Sequence, residues 1–321
     1  MAGPPGPSAS STRVLAVAST GGHLAELHRL IPRMFTRAGV DWVTFDTAQS
    51  RSLLCDEKVK YVRRVRPREL SSLLANVYPT LSILRNRRYD VVVASGSAGL
   101  TFLPLAAVFG GEAHFIECAT RTTGPSLSGR LLAVFPWVRR YTQHCRWARG
   151  SWLYRGSVFD AYHPDVQRRS PRLERVVVTV GLNPYPFRRL LERLIAILPA
   201  SAEVVWQTGE TDTAGLPIHG RPTVAASDLD AAMAHADVVV AHAGTGSALA
   251  ALDARRIPVL VPRLEALGEQ VDDHQVLLAQ ELAERGLALA RSVDQLDLRT
   301  LRLASMLSAR RQNNPLPFEL G

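Results

Sequence analysis

The stretch His242-Ala243-Gly244-Thr245-Gly246-Ser247-Ala248-Leu249-Ala250-Ala251-Leu252 decides the fold, read with Ile257-Pro258-Val259-Leu260-Val261-Pro262 and Val271-Asp272-Asp273-His274-Gln275 downstream. Residues 236–241 before it, Ala-Asp-Val-Val-Val-Ala, are an apolar run of strand length. Residues 242–247 are a small-residue loop, and 248–254 read as the helix it opens. A glycine-rich turn between strand and helix aims free N–H groups and the positive end of the helix dipole at one point, which suits a phosphate or pyrophosphate. Gly-x-Gly alone marks only a tight strand-to-helix turn. The second strand, 257–261, and the polar run that opens another helix beside the loop point beyond that reading.

Working outward, strand signals alternate with helical patterns along the whole chain. They fall at 14–18, 40–45, 91–94, 113–116, 176–180, 204–207, 237–241 and 257–261. Such alternation predicts parallel sheets with crossover helices. Two units are expected, with loops at the carboxyl ends of their strands facing across a cleft. The divisions are a disordered tail at 1–12, an N-terminal domain at 13–160, a linker at 161–174, a C-terminal domain at 175–291, and a C-terminal helix and tail at 292–321.

A chain of 321 residues with 46% hydrophobic content is long enough for two cores. Cys55, Cys118 and Cys145 lie far apart with no C-x-x-C, which argues against a disulfide framework or zinc site and fits a reducing compartment. The Pro/Gly/Ser-rich start has neither the basic region nor the apolar core of a signal peptide. The uncharged run 91–109 has the length of a membrane span, but Ser95-Gly96-Ser97-Ala98-Gly99 divides it into strand, loop and helix. Charge is uneven: residues 1–165 hold 21 Lys and Arg against 11 Asp and Glu, the remainder 17 against 18. No nucleic-acid motif accompanies the basic half. Arg63-Arg64-Val65-Arg66-Pro67-Arg68 and the segment 127–140, which mixes Leu131, Leu132, Val134, Phe135 and Trp137 with Arg130, Arg139 and Arg140, suit an anionic membrane surface. A solvated face over a core stripe is the alternative for each.

At the residues quoted first, with Val177-Val178-Thr179-Val180-Gly181 and Gln207-Thr208-Gly209, the chain resembles the donor-binding half of GT-B glycosyltransferases that make lipid-linked sugars. These are a family 28-like group that includes the catalytic subunit of the dolichol-diphosphate N-acetylglucosamine transferase and bacterial two-part exopolysaccharide enzymes. Ser19-Thr20-Gly21-Gly22-His23, Asp90-Val91-Val92-Val93-Ala94-Ser95-Gly96, Phe115-Ile116-Glu117-Cys118 and Leu127-Ser128-Gly129-Arg130 resemble the membrane-recruiting subunit. The resemblance spans most of 13–290 and implies both subunits fused in one chain. The implied fold is α/β, GT-B, with two Rossmann-like doubly wound domains. The implied activity is inverting transfer from a UDP-sugar to a polyprenyl-diphosphate-linked acceptor, by a peripheral protein on the cytoplasmic face of the plasma membrane.

The expected base is His23, at a strand end and opening a helix, because an imidazole suits proton transfer near neutrality. Capping the loop or contacting phosphate is its alternative role. Glu117 and Glu26 are fallback bases, Glu26 reading more naturally as a surface helix residue. Gly21, Gly22, Ser95 and Gly96 form the acceptor loops. Leaving-group charge is expected to meet the N–H groups of Gly244, Thr245, Gly246 and Ser247, beside Gly181, with no metal or other cofactor. Asp228-Leu229-Asp230 is a formal D-x-D, but capping by Ser227 or Asp228 and dipole compensation by Asp230 explain it better. Gln275, Asp272 and Asp273 are expected on the donor sugar, with Asp273 alternatively an N-cap. His242 either contacts the diphosphate or fills space. The resemblance implies a ribose-binding Glu where this chain has Ala250, and Asp253, one turn on, is the substitute. Leu182-Asn183 also depart from the family's pair of threonines. A sugar-nucleotide epimerase on the same fold and a non-catalytic sugar-nucleotide-binding scaffold are the competing functions. A nicotinamide dehydrogenase fits least, since Ser19 to His23 lacks G-x-G-x-x-G.

Overall fold

The computed structural model describes residues 12–35, 39–65, 70–166 and 171–321. Part of the expected N-terminal tail and the Arg66 to Arg68 end of the first basic segment lie outside these residues.

The first sheet holds β1 (Arg13–Ala18), β2 (Gly39–Phe45), β3 (Lys58–Val62), β4 (Val91–Ser95), β5 (Glu112–Ile116), β6 (Val138–Thr142) and β7 (Trp152–Tyr154). Their order is β3-β2-β1-β4-β5-β6-β7, parallel throughout. Val14 to Ala18 are buried without alternation, as expected of a central strand covered on both faces. The helices of this half are α1 (Gly22–Met34), α2 (Ala48–Leu53), α3 (Leu70–Ala75), α4 (Val77–Asn86), α5 (Gly99–Ala106) and α6 (Leu127–Leu132). After β8 (Tyr162–Val166) comes the second sheet, with β9 (Arg175–Thr179), β10 (Glu203–Gln207), β11 (Gly220–Arg221), β12 (Val238–His242), β13 (Val259–Val261) and β14 (Leu289–Ala290). Its order, β11-β10-β9-β12-β13-β14, is again all parallel. Helices α7 (Arg188–Ile197), α8 (Ala226–His235), α9 (Thr245–Asp253), α10 (His274–Glu284) and α11 (Leu298–Ser305) accompany it, and β15 (Leu307–Arg311) follows.

In each sheet the strand order reverses beside its first strand, between β1 and β4 and between β9 and β12. Ligands of open α/β sheets sit outside the carboxyl ends of strands at such reversals. The four loops singled out in the sequence, after β1, β4, β9 and β12, are the loops at these two points.

The two halves share apolar surface. Leu24, Leu27, Leu30 and Ile31 on α1 join Ala248, Leu249 and Leu252 on α9 and Leu278 and Leu282 on α10 in one buried cluster. The apolar positions of α1 recur every three or four residues, which gives the helix one buried face.

Three sequence expectations need correction. The linker contains β8, paired antiparallel with β15, which follows α11 where a polar tail was expected. β8 reads Tyr-His-Pro-Asp-Val with four exposed residues, so no apolar pattern announces it. Residues 127–140 are not one amphipathic segment. α6 ends at Leu132, β6 begins at Val138, and Arg140 is buried with its guanidinium on the carbonyls of Leu132, Phe135 and Val138. The helix α8 is capped neither by Ser227 nor by Asp228, since its N-cap is Ala225. The end of the chain returns to the first half. Phe318 is fully buried against Tyr141, and its N–H donates to the Arg33 carbonyl at 3.1 Å. The run 91–109 divides into β4 and α5, and among the described residues no helix is long and apolar enough to cross a membrane.

Candidate functional site

Gly21 stands at φ +86°, a conformation that glycine adopts without the penalty of a Cβ. It turns the chain from β1 into α1, and the Gln49 amide brackets it, accepting from its N–H at 2.6 Å and donating to its carbonyl at 3.1 Å. His23 then lies in the first turn of α1, its Nδ1 3.1 Å from Ser95 Oγ at the end of β4. Gly96, at φ +78°, lies directly against it, and a Cβ there would come 2.9 Å from the His23 ring and 2.8 Å from Ser19 Oγ. The two loops at the first sheet's reversal are thus fitted to one imidazole. Burial, then electrostatic interaction with Arg121 and His274, lowers the His23 pKa to about 4, so the ring is neutral at pH 7.

Glu117 and Glu26 are not placed as bases. Glu117 is fully buried, accepting from Cys118 N–H at 3.0 Å and from Ser126 N–H and Oγ at 2.8 and 2.9 Å. It ties together the two ends of the loop 117–126. Glu26, expected on the surface, is 1% exposed. It accepts from Cys118 Sγ at 2.9 Å, Ala119 N–H at 2.9 Å and Gln143 Nε2 at 2.7 Å, and also hydrogen-bonds the Thr245 hydroxyl from the second half. Burial raises the pKa of both acids. The i+3 spacing that put Glu26 on a face with His23 gave no sign that a second sheet covers that face.

The second sheet's reversal is built around His242. Its ring is buried between the loops after β9 and β12, and a Cβ on Gly181 or Gly244 would overlap it. Both glycines are therefore needed to seat the ring, Gly181 additionally at φ +75°. Burial, with Arg263 next, lowers the His242 pKa to about 3, which keeps the ring uncharged. Of its two expected roles, filling space is the one visible. Thr245, 2% exposed, faces the first half, and a Cβ on Gly22 would lie 3.4 Å from its Cβ. Gly246 also looks toward Gly22, 3.9 Å from where its own Cβ would stand. At that distance α1 and α9 meet in ordinary van der Waals contact. Gly244, Gly246 and Ser247 keep partial exposure at the N-terminus of α9.

Downstream, the roles expected for three residues change. Asp253, the substitute ribose ligand, ends α9 and is engaged by Arg29 Nη2 at 2.5 Å, Tyr162 Oη at 2.5 Å and Arg311 Nη1 at 3.4 Å. It braces the two halves and points no free oxygen at a nucleotide. Gln275 is 1% exposed, its Oε1 accepting from Arg263 N–H at 3.0 Å, so it holds the chain after β13 in place of a sugar. Asp273 occupies the N-cap position of α10, but its carboxylate accepts from Glu265 N–H at 3.0 Å instead of capping. Asp272 stays at the cleft, in contact with His274 and 3.1 Å from Arg121 of the first half. Asp228 and Asp230 lie on α8, and among the described residues no group of three potential ligands is assembled for a metal.

Sequence reasoning missed Arg121, His274 and Arg263. Arg263 is fully buried, stacked 5.5 Å from the Phe187 ring, with Nη2 on the Val180 carbonyl at 2.7 Å. It adds a cation beneath the loop after β9. Arg121 stands four residues past Glu117, a spacing without meaning until the loop's fold is known.

Residues 175–316 match the glycosyltransferase family 28 C-terminal domain. Over 259 residues the chain is 27% identical to the UDP-N-acetylglucosamine--N-acetylmuramyl-(pentapeptide) pyrophosphoryl-undecaprenol N-acetylglucosamine transferase of Chlorobium luteolum, spanning 70% of this chain and 67% of the relative. The fold is similar to the crystal structure of Acinetobacter baumannii MurG, with TM-score 0.55, 18% identity and 91% of this chain and 89% of the other covered. It is also similar to the glycosyltransferase of kitacinnamycin, with TM-score 0.57, 14% identity and 92% and 90% covered. With two parallel α/β units facing each other and a second half that matches the family 28 C-terminal domain, the chain is similar in fold to the GT-B glycosyltransferases.

Proposed function

We propose that the protein is an inverting glycosyltransferase that moves a sugar from a UDP-sugar to a polyprenyl-diphosphate-linked acceptor in envelope or exopolysaccharide synthesis. The observation that carries this reading is the position of His23. It is held by Ser95 at the first sheet's reversal, and its lowered pKa keeps the ring neutral. The match to glycosyltransferases, and to a relative whose name specifies transfer from UDP-N-acetylglucosamine to a lipid-linked acceptor, favours transfer over epimerisation. N-Acetylglucosamine is accordingly the first sugar to test.

In this reading Nδ1 of His23 donates to Ser95 Oγ, leaving the lone pair on Nε2 to take the acceptor hydroxyl's proton. The hydroxyl oxygen bonds to the anomeric carbon as the bond to the diphosphate oxygen breaks on the opposite face, and the electron pair leaves with UDP. N–H groups of the partly exposed Gly246 and Ser247 receive that charge, aided by the dipole of α9 and the buried Arg263. A neutral imidazole with a low pKa is a weak base. A bound diphosphate opposes Arg121 and raises it toward the working range.

The acceptor would arrive from the membrane side of the first half. Leu127 (59% exposed), Leu131, Val134 (71%) and Trp137 project from α6 and the turn after it, beside Arg130 and Arg139. A shallow depression joins Trp137 to Ala107 and Gly111, next to the exposed Val108. Apolar anchors among arginines suit an anionic lipid surface. The protein would act there, on the cytoplasmic face of the plasma membrane.

The test is a transfer assay with UDP-N-acetylglucosamine, UDP-glucose and UDP-glucuronate, using a short-chain polyprenyl-diphosphate sugar in anionic vesicles. Thermal unfolding with UDP, GDP, TDP and NAD runs beside it. UDP at about a hundredfold its Kd adds roughly 2.7 kcal/mol, on the order of 2–4 °C per kcal/mol. Turnover with a UDP-sugar and stabilisation by UDP alone are expected. Stabilisation by GDP or TDP instead would change the donor. No response to any nucleotide would put the non-catalytic scaffold first.

A further inference from the structure

The loop 117–126 is fixed at several points along its length. Glu117 clamps its start to its end through Cys118 N–H and Ser126 N–H. The Ala119 carbonyl is 2.6 Å from His144 Nε2, its N–H donates to Glu26 at 2.9 Å, and Trp147 Nε1 donates to the Arg121 carbonyl at 2.8 Å. Such anchoring suits the delivery of one side chain to a defined place. That side chain is Arg121. It crosses the cleft and meets Asp272 through a single contact, Nη1 to Oδ2 at 3.1 Å.

The pair is poorly suited to bracing. Both side chains are about one-third exposed, 35% and 36%, and the contact is not the bidentate fork that arginine makes with a carboxylate at full strength. An exposed monodentate pair contributes little to stability. The contrast with Asp253, gripped by two arginines and a tyrosine, and with Glu269, held by both Nε and Nη2 of Arg189, is direct. Asp272 also has a second partner in His274, so losing Arg121 leaves no orphaned carboxylate. The guanidinium can therefore leave at small cost. Its charge also acts on His23, the base of the reading above.

We infer that Arg121 is the cation that receives a substrate diphosphate in the cleft, and that Asp272 is a stand-in carboxylate which the diphosphate displaces. The inference rests on the transferase reading above and names a residue of that site. A diphosphate offers several oxygens to the guanidinium fork and outcompetes one carboxylate oxygen. Released Asp272 remains on His274, free to accept from a sugar hydroxyl. The diphosphate has two possible sources, the nucleotide donor and the lipid-linked acceptor, and both share this chemistry.

The experiment is calorimetric titration of the full chain with inorganic pyrophosphate, UDP and farnesyl diphosphate, for the wild type, Arg121→Gln, Arg121→Lys and Asp272→Asn. Arg121→Gln is expected to weaken pyrophosphate by about tenfold or more, with Arg121→Lys between it and wild type because lysine keeps the charge without the fork. Asp272→Asn should bind pyrophosphate at least as tightly as wild type, since the competing carboxylate is gone. A loss confined to UDP assigns the cation to the leaving group, and a loss confined to farnesyl diphosphate assigns it to the acceptor. Either supports the inference. Wild-type affinity of Arg121→Gln for all three ligands overturns it. So does an equal loss in Asp272→Asn, which would make the pair an interdomain brace. Unfolding midpoints of each variant separate binding from folding, and the lysine variant carries the test if the glutamine variant is unstable. If pyrophosphate binding depends on Arg121 while no UDP-sugar is turned over, the transferase reading fails and the cation stands.

Discussion

Two glycine loops open two helices at the strand-order reversals of the two sheets, and they do opposite things. After β1, Gly21-Gly22-His23 presents its histidine to the cleft, with Ser95 on one ring nitrogen. After β12, His242-Ala243-Gly244 folds its histidine beneath the loop, where Gly181 and Gly244 close over it. Moving the imidazole from five residues past the strand to its last residue turns a displayed side chain into a buried wedge. The first loop offers a side chain for chemistry. The second uses a side chain to shape backbone, so its own contribution to a ligand must come from N–H groups. Topology sets where a site can be, and side-chain placement sets which kind of site it becomes.

Removing each histidine separates the two roles. His23→Ala should lower turnover by about 10²–10⁴-fold while UDP affinity, read by calorimetry, stays within about threefold. Turnover near wild type would remove His23 as the base. Gly244→Ala is expected to cost about 1–3 kcal/mol in urea unfolding, because the new methyl overlaps the His242 ring. Adding His242→Ala should recover part of that loss, giving a non-additive cycle of about 0.5–3 kcal/mol. Simple additivity would mean the wedge does not set the loop.

The comparison also bears on how the halves are joined. Asp253→Asn, which weakens the contacts with Arg29, Tyr162 and Arg311, should destabilise by about 1–3 kcal/mol and leave UDP affinity unchanged. A selective loss of UDP affinity would return Asp253 to the ribose.

Acid should act through both histidines in the same direction. His23 and His242 have folded pKa values lowered to about 4 and about 3 from 6.5. Between those values and 6.5 the unfolded chain binds protons that the folded chain does not, so stability falls as pH drops through that window. The buried Glu26 and Glu117, raised from 4.5, act oppositely, since their contribution is present below 4.5 and is lost as pH rises through their folded values. Urea midpoints from pH 7 to pH 4 in His242→Phe should show a shallower decline than wild type. An unchanged slope would assign the acid sensitivity elsewhere. The smallest effect is expected at Gly246→Ala. Its methyl would stand 3.9 Å from Gly22, ordinary contact, and alanine favours the helix by up to about 1 kcal/mol. A marked loss of stability or of UDP binding would show that the α1–α9 approach has no room to spare.

Much of the fold was legible in the sequence because buried parallel strands are continuous Val-rich runs. The runs at 14–18, 91–94, 176–180 and 237–241 became the central strands β1, β4, β9 and β12. Edge and pairing strands were not legible. β3 alternates toward solvent, β7, β11 and β14 are two or three residues long, and β8 exists only because β15 returns to pair with it. Glycine loops at strand ends were equally readable, since small residues between a strand and a helix have few other uses.

What the sequence by itself determined, then, is local: the central strands, the loops that follow them, and the presence of an imidazole and carboxylates at their ends. Tertiary structure alone decided which of those groups faces the cleft. Glu26 is one helical turn past His23, yet it is sealed by Gln143 and Thr245, residues 117 and 219 positions later. Asp253 is drawn away by Arg29 and Tyr162, Gln275 by the backbone of Arg263, and Arg121 is brought to Asp272 from 151 residues away. The physical reason is that exposure and charge partners are properties of the packed interface between two halves. A periodic pattern encodes one buried face of an element but not what arrives to cover it.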